Sequence, residues 1–184
     1  MKTRNYFVIF LALFLLTNTA YSQIYRGRGI KYSVAAEVGQ AVSYLAKKHD
    51  KMVGLSFQTD FPIIDDELFA TVNFGFNNAF VRTNFSHLVD NMHIIPIKTG
   101  LKYYINKNVY AQTDIGISIL LNKTNCVAGK TQAFVIAPQL GYLLYNNAKN
   151  SLDFGVRFES TGKFYQCDRQ NNFVGFKVAW SFIR

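Results

Sequence analysis

The segment 173–184 alternates almost without fault. Val174, Phe176, Val178, Trp180 and Phe182 fall on one side of an extended strand, against Gly175, Lys177, Ala179 and Ser181 on the other, because successive strand side chains face opposite ways. The same period of two recurs in seven earlier segments: 31–45, 52–61, 67–77, 92–105, 109–121, 133–145 and 151–160. In each, a row of large apolar side chains opposes a row rich in glycine, serine, asparagine and charge. Val53, Leu55 and Phe57 oppose Gly54, Ser56 and Gln58; Leu152, Phe154, Val156 and Phe158 oppose Asp153, Gly155, Arg157 and Glu159. Helical periodicity does not persist in any of them. Short strands at this spacing, separated by turn residues, predict an all-β barrel or sandwich.

The connectors sharpen that reading. Asn106-Lys107-Asn108, 146–150 and 62–66 are short turns, whereas 78–91, 122–132 and 161–172 are longer. Short and long ends alternating around an even number of strands mark a membrane barrel with an apolar outside and a polar lumen. The predicted fold is an all-β, eight-stranded antiparallel up-and-down transmembrane β-barrel. A soluble, lipocalin-like ligand-binding barrel is the alternative, with the apolar row lining a cavity instead. Charged residues make up only 17% of the chain, little for a water-exposed surface. Tyr32, Tyr44, Tyr103, Tyr142, Trp180 and Phe182 gather towards strand ends, where an interfacial girdle belongs. Pro96 and Pro138 fall inside strands and predict a bulge or a strand boundary at each.

The N-terminus adds a compartment. Lys2 and Arg4 precede the apolar run 7–16, and Ala20-Tyr21-Ser22 gives a small-x-small cut, the pattern of a cleaved secretory signal. The run is far shorter than the ~20 residues of a membrane helix. Residues 1–22 are therefore expected to be removed, leaving 23–184 as one barrel domain. The formal charge of +9 comes from dispersed bases. It fits attraction to anionic lipid head groups rather than nucleic acid.

Ten ionisable residues share the predicted interior: Glu37, Asp60, Asp114, Asp153 and Glu159 with Lys31, Lys98, Lys102, Arg157 and Lys177. Charges away from water must be paired, so this balanced set predicts a lumen plugged by ion pairs. An eight-stranded barrel has room only for side chains; a narrow channel is the competing reading. Catalytic chemistry is not expected. Ser86, His87 and Asp90 share one long connector without a defining spacing, His49 and His93 stand apart, and Asp65-Asp66-Glu67 reads as solvated turn charge. No cofactor or metal is implied. Cys126 and Cys167, the two cysteines, fall in two long connectors of one rim, and an oxidising compartment favours a bridge between them.

The runs Ile94-Ile95-Pro96-Ile97-Lys98 through Lys102-Tyr103-Tyr104, Gly141-Tyr142 before an Asn-rich turn, and the aromatic-rich last strand resemble the small Gram-negative outer-membrane β-barrel proteins, the group that includes PorT-like members. The likeness implies an outer-membrane location among lipid and insertion by the barrel-assembly machinery. It implies no single activity. The expected function is non-enzymatic: a structural or partner-binding element acting through its outer loops on a protein partner the sequence does not identify.

Overall fold

The computed structural model describes residues 29–43, 45–47, 49–82, 91–122, 130–145, 150–164 and 170–183. The signal segment, Tyr44, Ser86, His87, Asp90, Cys126 and Cys167 lie outside the described residues. Eight strands follow in order: β1 (Lys31–Val42), β2 (His49–Ile64), β3 (Leu68–Val81), β4 (Met92–Tyr104), β5 (Val109–Leu120), β6 (Gln132–Tyr145), β7 (Asn150–Thr161) and β8 (Asn171–Ile183). Each pairs antiparallel with its sequence neighbours, and β8 pairs with β1, closing the barrel. The expected strand count and up-and-down order hold.

Closure has a measurable stagger. From Tyr32 the ladder runs through Thr59, Val72, Thr99, Ile115, Ile136, Ser160 and Asn172, returning to β1 at Val42, ten residues further on. With a rise of ~3.3 Å per residue and strands ~4.8 Å apart, that offset tilts the strands by about 40°. Even the 12-residue strands β1, β5 and β7 then rise about 30 Å, more than an apolar belt of ~25 Å requires.

The two faces separate as the alternation predicts. Leu55, Leu101, Phe134, Leu140 and Phe176 point away from the barrel and are more than half exposed. Asp60, Lys102, Asp114 and Ser181 point inward and are almost wholly buried. A lipocalin-like arrangement would need the opposite.

Several boundaries differ from expectation. β1 stops at Val42 because Ser43 takes a positive φ of 59°. The chain then makes one 3-10 turn, Leu45–Lys47, instead of continuing as strand to 45. β2 runs through Pro62 to Ile64, so the following turn is shorter than the sequence implies; Asp66 takes φ 65° there. β3 reaches Val81, four residues beyond the predicted end.

Neither Pro96 nor Pro138 creates a bulge or ends a strand. The register is the same on both sides of each, but the ladder passes over two pairs. One gap lies between Phe74↔Ile97 and Asn77↔Ile94, the other between Ile136↔Ser160 and Gln139↔Arg157. A proline has no N–H to give, and the deficit falls on the seams facing β3 and β7. The seams with β5, which lies between them, are continuous. The register shifts occur in β2 instead, near His49 and beside Pro62.

Candidate functional site in the barrel interior

Inward-facing side chains fall into three layers along the barrel. At the short-turn end lies an aromatic group, Phe69, Tyr104, Tyr110 and Leu143. Phe69 and Tyr104 meet edge to face at 5.6 Å, and Tyr104 lies 5.6 Å from Tyr110. Gly141, opposite Tyr110 in the ladder, makes room for that ring: a Cβ there would stand 2.1 Å from Tyr110 Cζ. The phenol donates to Asp153 Oδ1 at 2.5 Å and accepts from Gln139 Nε2 at 2.6 Å.

Lys102 sits beside this group. Its ammonium lies 3.4 Å from Asp60, 3.2 Å from Asp153 and 4.0 Å above the centre of the Tyr110 ring. A cation held by two carboxylates and an aromatic face is well compensated even without water.

The middle layer is mainly polar, with Ala35, Ala137 and Ala179 the small apolar residues among it. Arg157 forms a two-pronged pair with Glu37, one prong at 3.1 Å from Nη1 to Oε1 and the other from Nη2 to Oε2. Nη2 also lies 3.3 Å from Glu159, which Lys98 contacts at 2.8 Å. Ser56 donates to Glu37 at 2.7 Å. Gln58 links the rest, accepting from Lys177 at 2.8 Å, Gln112 at 3.2 Å and Asn73 at 3.3 Å while donating to Asp60 at 2.6 Å. The void beside Glu37 and Arg157 measures about 10 Å³, close to the least room one water requires.

Above it, towards the long connectors, an apolar cluster forms beside the buried polar side chains of His49, Asn77, Thr161 and Asn171. Ala41, Met52, Ala79, Met92, Ile94, Leu120, Ala133 and Phe173 belong to it. Two side chains from outside the strands complete it: Leu45 from the 3-10 turn, and Phe164, which is 1% exposed. The Phe164 carbonyl accepts from Lys130 N at 2.6 Å, tying the β7–β8 connector to the β5–β6 connector.

All ten predicted interior residues are buried, but their pairing is not one to one. Lys98, Lys102, Arg157, Glu37, Asp60, Asp153 and Glu159 form ion pairs. Lys177 is held by the Gln58 amide, and Asp114 by Thr71 and Gln112, both at 2.8 Å. Lys31 Nζ makes no hydrogen bond. Amides therefore do part of the work expected of opposite charges, and an apolar cluster shares the lumen with the ion pairs. Counting only acids and bases overlooked Tyr110, although its even position in β5 marks it as inward.

Tyr32, Tyr103, Tyr142, Trp180 and Phe182 face outward, all towards the short-turn end. Tyr32 stacks on Phe182 at 5.6 Å and on Phe57 at 6.3 Å. Among the described residues no tyrosine or tryptophan faces out near the long connectors. There too, no cluster of three His, Cys, Asp or Glu is placed to hold a metal ion.

No family model and no curated protein matches the chain. Among solved structures, neisserial surface protein A aligns with a TM-score of 0.59 at 13% identity, covering 85% of this chain and 97% of that one. The outer membrane enzyme PagL aligns with a TM-score of 0.57 at 12% identity, covering 83% and 99%. Ail, the attachment invasion locus protein of Yersinia pestis, aligns at 0.55 and 12%, covering 85% and 100%. At these identities the likeness is one of architecture: the chain has the fold of the eight-stranded outer-membrane barrels.

Proposed function

We propose that this protein is a non-enzymatic outer-membrane barrel with a sealed interior, acting as a structural or partner-binding element through its long connectors. The carrying observation is the stack of an ion-paired layer between an aromatic group and an apolar cluster. A path for ions would have to break all three. Residues 1–22 direct the chain to the envelope as a cleaved signal, the barrel-assembly machinery inserts it, and the outward tyrosines with Trp180 and Phe182 form a girdle at the short-turn interface. Surface lipid and an envelope or extracellular protein are its partners.

Recovery in the outer-membrane fraction and silent planar bilayers are the expected results. Recovery in the soluble periplasm, sustained discrete conductance steps, or a lipid hydrolase activity lost on Ser86→Ala would each overturn the reading.

Cys126 and Cys167 form a bridge in the same proposal. Their connectors are the two already joined by the Lys130–Phe164 backbone hydrogen bond. Closing a loop of this length stabilises by roughly 4 kcal/mol in the chain-entropy model. Mass spectrometry of unreduced, alkylated protein is expected to find neither cysteine labelled; label on both removes the bridge.

A further inference from the structure

The outer wall of β1–β3 combines two features that the sealed interior does not use. The first is a shallow, open apolar groove walled by Val34, Leu55, Phe57 and Phe74, with the strand backbone at Ser56 and Gly75 as its floor. The second is a polar edge above it. Lys51 faces outward four residues from Leu55 on the same strand, opposite Gln40 in the ladder. Arg82 closes the neighbouring strand end with its side chain 47% exposed.

Four residues along a strand tilted by about 40° amount to roughly 10 Å of membrane depth. That separation sets the cations at head-group level when the groove lies among acyl chains. Asp50 is the acid at this edge, 3.9 Å from Arg82 and accepting from Gln40 at 3.3 Å. Lys51 and Arg82 outnumber that acid two to one.

We infer that this wall holds one anionic phospholipid of the surrounding leaflet, its acyl chain in the groove and its net negative head group on Lys51 and Arg82. The inference rests on the membrane reading above. Charge complementarity at the edge and an apolar groove in line beneath it select a lipid, since neither a soluble anion nor a neutral chain uses both.

Native mass spectrometry of delipidated protein mixed with equimolar phosphatidylglycerol and phosphatidylcholine of identical chains tests it. The phosphatidylglycerol adduct is expected to prevail on the order of tenfold, because two bases attract its net charge and Asp50 offsets part of that attraction. The double variant Lys51→Gln/Arg82→Gln should bring the ratio near one, and Lys130→Gln/Lys163→Gln should leave it unchanged. Val34→Trp, which fills the groove from outside without touching the interior, should remove both adducts.

An equal ratio in the unaltered protein, or equal loss in the two double variants, overturns the inference while a detergent-dependent protein leaves the membrane reading intact. A protein soluble without detergent ends both. A dimer dispersed by Val34→Trp would give the groove to a second copy and also overturn it.

Discussion

At the residue scale, position in the alternation decides what a substitution means. Ile115 is 45% exposed and faces outward near mid-wall. Ile115→Arg is expected to destabilise the barrel by ~2–4 kcal/mol in lipid, measured by reversible unfolding in vesicles; an unchanged midpoint would mean the outward face does not meet hydrocarbon. Inward positions are not free either. Ser118 is fully buried, so Ser118→Asn is expected to cost about 1–3 kcal/mol by overpacking. Arg157 is the more sensitive site, because Arg157→Met leaves Glu37 and Glu159 short of a partner. A loss of about 3–5 kcal/mol is expected. Measured by the same unfolding, a loss under 1 kcal/mol would mean that the layer tolerates a missing cation.

At the element scale, glycines set how closely the strands coil. A Cβ on Gly116 would stand 2.0 Å from the Ile97 carbonyl oxygen and 2.8 Å from Lys98 Cα, both backbone atoms of the paired strand. Gly100, on that partner strand, meets the Thr113 carbonyl in the same way, at 2.1 Å. Gly162, in a connector, has nothing nearer than 3.5 Å. Gly116→Ala is therefore expected to lower the temperature at which the folded band disappears on unheated gels, and Gly162→Ala to leave it in place. Equal behaviour would mean that β4 and β5 can separate without loss.

The alternation disclosed the outward face because every second residue of each strand is, in the main, a large apolar side chain on the same side. It did not disclose the apolar cluster near the long connectors, since a period of two gives a side and not a depth. Leu45 and Phe164 lie in connectors, where no period marks them. The prolines misled for a related reason: a missing N–H costs one seam its bonds, and the sequence does not show that the other seam stays continuous.

At the scale of the whole molecule, the Tyr32-to-Val42 stagger exists only once β8 has met β1. Until then the sheet has two free edges, each a row of unpaired N–H and C=O groups that hydrocarbon cannot satisfy. Closure joins positions as distant as Lys31 and Ile183, and pairing across such sequence separation is intrinsically slow. In the finished barrel the seam between those strands is an unbroken antiparallel ladder like its neighbours, distinguished by having no connector across it. The backbone pairing at that seam thus does not depend on which strand is made first. A circular permutant that links the chain beyond Ile183 to the segment before Lys31, and opens it at Lys107, is expected to close into the same barrel at a different rate. Failure to regain the heat-sensitive mobility shift of the folded form would mean that making β1 first and β8 last is itself a condition of closure.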